Sequence, residues 1–346
     1  MNDHNVKKMT HRQGLLEINH VVKHFDISGG LLEQLAIRDG RLSRTRTVVH
    51  AVNDVTFTIY PGETFGVVGE SGCGKSTLAR TVIGLYPPDG GEIMYKGKRI
   101  DTLSHYEMLP YRSRMQMVFQ DPYASLNPRM TVKQALEEPL VFHNKSITAD
   151  AVKERVGVVM EQVGIDPVWG SRYPHEFSGG QRQRISIARA LMVDPEFIIA
   201  DEPVSALDVS VQAQILNLFM DAQEERGLTY MFITHDLSVV EHISTRVAVM
   251  YLGRLCEVAL TKELFNSPRH PYTQALLSAI PKLGVQKTSH IKLQGDVPTP
   301  IELPDGCVFH GRCPYANQRC VREVPSPVSM KNGSIVACHA VEEGRV

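Results

Sequence analysis

Residues 69–76 read Gly-Glu-Ser-Gly-Cys-Gly-Lys-Ser, the pattern of a phosphate-binding P-loop. Its glycines let successive backbone N–H groups turn onto phosphate oxygens, and the Lys75 ammonium supplies a cation for the β- and γ-phosphates. The Ser76 hydroxyl can reach Mg²⁺. The sequence therefore predicts a nucleotide site. Its predicted contacts are Gly69, Glu70, Ser71, Gly72, Cys73, Gly74, Lys75, Ser76 and Thr77.

A pair of acidic residues, Asp201-Glu202, follows the apolar run Phe197–Ala200. An isolated acidic pair is more typical of a capped turn, but this one ends a predicted buried strand in a chain that has a P-loop. Asp201 is therefore predicted to hold Mg²⁺, directly or through water. Glu202 is predicted to polarise the attacking water as a general base.

Predicted strands alternate with helices along the chain, which indicates an α/β fold with a parallel sheet. A short strand at 64–68 precedes the P-loop and a helix at 76–85 follows it, which is the context that a P-loop requires. Continuous apolar runs such as 229–234 are typical of parallel strands covered on both faces. The other predicted elements are strands at 15–26, 51–60, 197–200 and 246–251 and a helix at 184–191.

Composition along the chain predicts three parts. Residues 1–14 are expected to be a flexible N-terminus, and 15–265 a nucleotide-binding domain with an inserted helical subdomain at about 121–185. Prolines recur through 266–346, which is therefore predicted to be a small irregular domain that needs a staple.

An insertion at about 27–49 carries four arginines: Arg38, Arg41, Arg44 and Arg46. We expect a solvated loop here. The alternative is a contact with a neighbouring subunit or with lipid headgroups.

The 346 residues carry a net charge of −1. A charge so close to zero gives no reason to expect binding to a nucleic acid. The first residues do not lead into a secretory signal. The sequence has no run of 18 apolar residues, which is the length needed to span a bilayer. Work at a membrane would therefore require docking through a partner.

Four of the six cysteines lie in the last 40 residues: Cys307, Cys313, Cys320 and Cys338. In a cytosolic chain such a group indicates a metal site rather than disulfides. Four thiolates suit either an iron–sulfur cluster or Zn²⁺, and their spacing is not the paired C-x2-C of common zinc ribbons.

A second motif, Phe177-Ser-Gly-Gly-Gln181, resembles the signature of ATP-binding cassette (ABC) ATPases. The resemblance implies a P-loop NTPase (RecA-like) core with an antiparallel β-subdomain, and a dimer in which each signature closes over the partner's ATP. It further implies a Q-loop glutamine at Gln120, a switch histidine at His235, and a base-stacking aromatic at Phe25. The implied signature and D-loop contacts are Ser178, Gly179, Gly180, Gln181 and Asp208.

Longer stretches, among them 120–131, 172–181 and His270-Pro-Tyr-Thr-Gln-Ala-Leu276, look like the ATP-binding subunits of dipeptide/oligopeptide importers, in particular the second ATPase subunit. That resemblance implies ATP hydrolysis with Mg²⁺ at the cytoplasmic face of the inner membrane. The implied partners are a second ATPase in a heterodimer, two permease subunits and an extracytoplasmic peptide-binding protein. It also implies a [4Fe–4S] cluster on the four late cysteines, with Zn²⁺ as the alternative.

Two other functions remain open at this point. One is import of nickel chelates or other small solutes by the same group of transporters. The other is a soluble, non-transport ABC ATPase, although the chain has one cassette and no long heptad pattern.

Overall fold

The computed structural model describes residues 13–28, 35–38, 41–44, 46–280 and 291–346, so that most of the predicted N-terminus 1–14 lies outside the described residues. The described strands, numbered in chain order, are β1 (Leu16–Asp26), β2 (Leu35–Arg38), β3 (Arg41–Arg44), β4 (Val48–Ile59), β5 (Thr64–Val68), β6 (Gly90–Tyr95), β7 (Lys98–Arg99), β8 (Met115–Val118), β9 (Phe197–Asp201), β10 (Thr229–Ile233), β11 (Arg246–Tyr251), β12 (Arg254–Leu260), β13 (Val328–Ser329) and β14 (Ile335–Val336).

The described α-helices are α1 (Lys75–Val82), α2 (His105–Arg114), α3 (Pro122–Ser125), α4 (Val132–His143), α5 (Ala149–Gln162), α6 (Gly179–Leu191), α7 (Val209–Arg226), α8 (Leu237–Ile243), α9 (Thr261–Asn266), α10 (Pro271–Ser278), α11 (Gln318–Arg322) and α12 (His339–Glu342). Short 3-10 helices occur at Pro167–Ser171, Pro174–Glu176 and His310–Arg312. None of the helices in the described ranges has the length and apolar character needed to cross a bilayer.

One compact unit contains Ile59–Gly66 and Thr102–Thr234 together with the first described residues up to Leu15. Within it β8 pairs in parallel with β9, and β9 with β10. Every residue of β9 and of β10 is buried, as their continuous apolar sequences predict for strands covered on both faces. Helices α3 to α6 fall in or overlap the segment that was predicted to be a helical insertion.

A second compact unit contains Leu16–Thr58, Val67–Asp101 and His235–Val346. It has a four-stranded sheet in the order β4-β1-β6-β7, in which β1 pairs antiparallel with β6 and β6 with β7. β11 and β12 form an antiparallel pair that β14 and β13 extend. A buried cluster including Val68, Tyr251, Tyr272 and Phe309 joins these strands to the C-terminal segment.

The elements closest to the chemical motifs are confirmed with small shifts of their ends. β1 fills the strand predicted at 15–26, β5 is the strand at 64–68, and α1 begins one residue before the predicted helix and ends earlier, at Val82. β4 begins three residues before the strand predicted at 51–60. These short segments are specified by local pattern, so their positions are readable from the sequence.

The expectation of a solvated loop at 27–49 is wrong for the backbone, because part of this segment forms strands. β2 and β3 within it form an antiparallel two-stranded sheet, with Leu35 opposite Arg44 and Arg38 opposite Arg41. The sequence places Asp39-Gly40 between the two strands, and this dipeptide is a strong signal for a tight hairpin turn.

Candidate functional site

The P-loop connects the buried strand β5 to helix α1, which begins at Lys75. Gly74 caps this helix in the left-handed region at φ 103°, where a side chain would be strained. A Cβ atom added there would lie 1.9 Å from the carbonyl oxygen of Ala51. Only glycine therefore fits, and the loop can present its N–H groups at the start of a helix, where anions are favoured.

The cation of the loop is almost fully buried, since Lys75 is 4% exposed. Its Nζ donates to the carbonyl oxygens of Gly69 at 2.8 Å and Glu70 at 3.0 Å, and lies 3.7 Å from the Cys73 sulfur. Burial raises the pKa of the Cys73 thiol despite the nearby ammonium, so this thiol is neutral at neutral pH. The Lys75 charge is thus held inside the loop by neutral acceptors.

Sequence analysis missed two side chains that contact this loop from the C-terminal segment. The Glu70 N–H donates to the Tyr272 hydroxyl at 3.0 Å. The Arg312 guanidinium donates to both carboxylate oxygens of Glu70, with a shortest distance of 2.8 Å. Tyr272 lies in the importer-like stretch at 270–276, which was an available signal, but Arg312 is 242 residues from Glu70 and no local pattern links them.

The predicted general base follows β9 in the first unit. Asp201, the last residue of β9, is 1% exposed, and Glu202 has a left-handed backbone at φ 46°. A non-glycine residue in this region carries strain, which is often found at functional positions. The Glu202 N–H donates to the Ile233 carbonyl oxygen at 2.9 Å, which fixes the strained residue against the end of β10.

Gln120 and Glu202, predicted from separate motifs, are in direct contact. The Gln120 amide nitrogen donates to Glu202 Oε2 at 2.9 Å. The two residues are 82 positions apart and are brought together by the parallel pairing of β8 with β9. The carboxylate is therefore oriented by a neutral amide.

The signature motif forms the N-terminus of α6. Ser178 is the N-cap: its hydroxyl accepts from the Gln181 N–H at 3.3 Å, and its own N–H donates to Gln181 Oε1 at 2.9 Å. A Cβ at Gly180 would meet Val211 Cγ1 of α7 at 2.5 Å, so the close approach of the two helices requires glycine. Asp208 caps α7 by accepting from the Val211 N–H at 3.0 Å.

Phe25, at the end of β1, makes an edge contact with Tyr86, with ring centroids 5.3 Å apart. Lys23 Nζ lies 5.4 Å from the Phe25 ring centre and 3.0 Å from an Asp89 oxygen. Sequence analysis did not find Tyr86. His235, two residues beyond β10, is exposed.

The four late cysteines influence one another electrostatically. Burial, and to a smaller degree the thiols of Cys338, Cys320 and Cys313, raises the pKa of Cys307 to about 11. Burial likewise raises the pKa of Cys313 to about 11. Across the described residues, no three metal-ligating side chains form a group arranged to hold a single metal ion. The structure thus places the thiols within electrostatic range of one another, and the metal staple of this segment stays a prediction.

Comparison with known families decides between the alternatives left by the motifs. A family model described as "ABC transporter" matches residues 52–205. A second, described as "Oligopeptide/dipeptide transporter, C-terminal region", matches residues 256–320. The oligopeptide transport ATP-binding protein AppF of Bacillus subtilis is 50% identical over 95% of this chain and 98% of its own. The chain belongs to the ABC transporter ATP-binding proteins of the oligopeptide/dipeptide group.

A further relative and two solved structures are similar to most of the chain. The dipeptide transport ATP-binding protein DppF of Escherichia coli is 47% identical, covering 97% of each chain. Among solved structures, cbiO1 from Clostridium perfringens, part of an ABC transporter complex, has a TM-score of 0.61 at 28% identity over 74% of this chain and 92% of its own. A dimeric post-hydrolysis cassette bound to ADP and Pi, MJ0796, has a TM-score of 0.62 at 26% identity over 71% and 98%. The chain is therefore an ATPase with the ABC ATPase fold.

Proposed function

We propose that this chain hydrolyses ATP to power the import of dipeptides or oligopeptides across a cytoplasmic membrane. The observation that carries the proposal is the match of residues 256–320 to the C-terminal region of oligopeptide/dipeptide transporters, beyond the part shared with ABC ATPases in general. Four relatives match at least 94% of this chain, so that their similarity includes the C-terminal region. All four are named as ATP-binding proteins of peptide or oligopeptide transport.

In the proposed mechanism the P-loop N–H groups and Lys75 bind the ATP phosphates, and Phe25, beside Tyr86, stacks on the adenine. Ser76, Asp201 and Gln120 would hold Mg²⁺, and their hydroxyl, carboxylate and amide oxygens are the ligands that this hard cation prefers. Bound Mg²⁺ neutralises charge on the β- and γ-phosphates. Because the Gln120 nitrogen donates to Glu202, its carbonyl oxygen is the atom left for the metal.

Glu202 is the proposed general base for the attacking water, and His235 the proposed contact of the γ-phosphate. The orientation of Glu202 by Gln120 and by the Ile233 carbonyl supports this role, because a base must be held in one direction to accept a proton from a positioned water. Acceptance of that proton leaves a hydroxide to attack phosphorus while ADP departs.

Two cassettes are proposed to close around ATP, with Ser178, Gly179, Gly180 and Gln181 of one contacting the ATP held by the other. The start of α6 at Gly179 supports this, since the N-terminus of a helix favours an anion. We propose a homologous second ATPase as the partner, with two permeases and an extracytoplasmic peptide-binding protein. The chain would then lie peripherally on the cytoplasmic face of the membrane.

For the four late cysteines we propose a [4Fe–4S] cluster, with Zn²⁺ as the alternative. The effects of the neighbouring thiols on the pKa values of Cys307 and Cys313 support a shared site. Anaerobic purification followed by iron, sulfide and zinc analysis tests this. Cys313→Ser should lose bound iron, whereas Cys73→Ser, at a buried cysteine of the P-loop, should retain it. Zinc without sulfide would favour the alternative. Protein that contains neither iron nor zinc would contradict the proposal.

The transport proposal is tested by tagging the chain, extracting membranes in mild detergent, and identifying the proteins that co-purify. Two multispanning proteins and a second cassette ATPase are expected, together with ATP-dependent uptake of a labelled dipeptide or oligopeptide that Glu202→Gln abolishes. Recovery with ribosomes or DNA, and peptide uptake that does not need this chain, would contradict transport while leaving the ATPase chemistry intact.

A further inference from the structure

Glu70 presents an electrostatic problem within the P-loop. It is the second residue of a loop whose other features, a buried ammonium and a helix N-terminus, attract anions. A free carboxylate beside a bound triphosphate would repel it, because like charges at short range in a partly buried site are weakly screened. The Glu70 side chain is only 27% exposed, so water alone screens it incompletely.

Arg312 removes this problem by pairing with the carboxylate. Its Nη1 lies 2.8 Å from Glu70 Oε2 and its Nη2 3.2 Å from Oε1, a two-pronged contact that fixes direction as well as charge. The Arg312 side chain is 11% exposed. Nη1 also lies 3.4 Å from the Tyr251 hydroxyl, which holds the guanidinium from a second side.

Tyr272 fixes the backbone of the same residue. Its hydroxyl, on a fully buried side chain, accepts the Glu70 N–H at 3.0 Å. The Tyr272 ring packs 4.7 Å from the Tyr251 ring and 5.4 Å from the Phe309 ring, centroid to centroid. The backbone and the side chain of Glu70 are therefore both anchored to the segment that follows the cassette.

We propose that Arg312 and Tyr272 are positioning residues of the ATP site, through which the C-terminal segment neutralises Glu70 and holds the P-loop in the form that accepts a triphosphate. This inference rests on the proposed binding of ATP by the P-loop. It gives the C-terminal segment a direct part in nucleotide affinity, distinct from any metal it carries.

The test measures MgATP affinity by titration calorimetry on the full-length chain at low and high salt. Arg312→Gln leaves the Glu70 charge unpaired and is expected to weaken binding about tenfold at low salt and less at high salt, where charges are screened. Tyr272→Phe, which removes only the hydroxyl, is expected to weaken binding about threefold. Arg322→Gln, at an exposed arginine of the same segment, is the matched control and should bind as the wild type does.

The double variant Glu70→Gln/Arg312→Gln separates electrostatics from folding. If Arg312 acts on Glu70, removing both charges should restore most of the affinity lost in Arg312→Gln; circular dichroism should show the same fold in all variants. An equal loss in the single and double variants, or no loss in Arg312→Gln, would overturn the inference. A wild-type chain that binds no MgATP would instead overturn the function on which the inference rests.

Discussion

Glu202 and Glu70 are two carboxylates in the described molecule that face opposite demands. Glu202 accepts from a neutral amide, that of Gln120, on a strained backbone. Glu70 is held by a guanidinium, that of Arg312, beside a tyrosine hydroxyl that accepts its N–H. An amide orients a carboxylate and leaves its charge available, whereas a guanidinium cancels the charge.

The difference indicates how this protein would separate the carboxylate that is proposed to act as a base from one that must not disturb the bound nucleotide. A base for water needs its charge, and the contact with Gln120 supplies direction to the Glu202 carboxylate. A carboxylate in a phosphate-binding loop disturbs its ligand unless a cation takes the charge. Changing the partners of each carboxylate tests this distinction, and the expected effects differ in kind as well as in size.

The largest effect is expected from Glu202→Gln, which keeps the shape and loses the proton acceptor. Steady-state ATP hydrolysis in the assembled transporter should fall by about 10² to 10⁴, the usual contribution of a general base. MgATP binding should be retained. The same substitution at Glu70 is the matched comparison, since it should leave a functional base in place. Hydrolysis at the native rate in Glu202→Gln would falsify the assignment of the base.

Lys75→Ala tests the other charge at the P-loop. It removes the buried ammonium that is proposed to contact the β- and γ-phosphates, so the Kd for MgATP should rise roughly 100-fold, as expected for loss of one or two hydrogen bonds from a charged group. Calorimetry measures this directly. Lys98→Ala, at an exposed lysine of β7, is the control and should leave Kd unchanged. Unaltered affinity in Lys75→Ala would remove the argument for a phosphate cradle.

The segment that holds the Glu70 backbone through Tyr272 should lose stability in mild acid. Burial lowers the pKa of His270 to about 3, and its Nδ1 accepts from the Tyr272 N–H at 3.0 Å. Because the folded pKa is below the usual 6.5, the unfolded state binds the proton first as pH falls below 6.5. Stability is thus complete above that pH and declines toward pH 3, by about 2 kcal/mol between pH 6.5 and 5.

Chemical denaturation of the full chain at several pH values measures this decline. His270→Asn, which can still cap α10 by accepting the Tyr272 N–H, is expected to be less stable at neutral pH but to have a flatter pH dependence in this window. An equal slope in both proteins would show that His270 does not titrate in the way proposed.

The smallest effect is expected from Gln120→Leu, which removes the amide that orients Glu202. Loss of one hydrogen bond to a charged group predicts roughly a tenfold fall in hydrolysis at saturating ATP. Because Gln120 is also a proposed Mg²⁺ ligand, the assay should be repeated over a range of Mg²⁺ concentrations. A defect fully restored by excess Mg²⁺ would assign the residue to the metal alone and not to the orientation of the base.

The parts of the site that could be read from sequence are those encoded in a few consecutive residues. The P-loop, the strand before it and Asp201-Glu202 after β9 are local patterns, because backbone conformation and burial there depend on near neighbours. Gln120 and Glu202 were found separately, and only the parallel pairing of β8 with β9 brings them into contact.

The parts that could not be read depend on contacts between distant segments. Nothing near Glu70 indicates that its charge is paired with Arg312, and nothing near Phe25 indicates Tyr86. The late cysteines were recognised as a group by their number, yet spacing alone does not fix the distances between their sulfur atoms. The hairpin of β2 and β3 was readable in principle from Asp39-Gly40.

The contact between Glu70 and Arg312 also has a consequence for the order in which the protein is made. Ribosomes add about 5–20 residues per second, so roughly 12 to 50 seconds separate the synthesis of these two partners, which are 242 positions apart. During that interval the emerging loop carries an uncompensated negative charge. The nascent cassette therefore acquires its full attraction for nucleotide only after the segment that carries Arg312 has left the ribosome, which makes nucleotide binding a late event relative to synthesis of the P-loop.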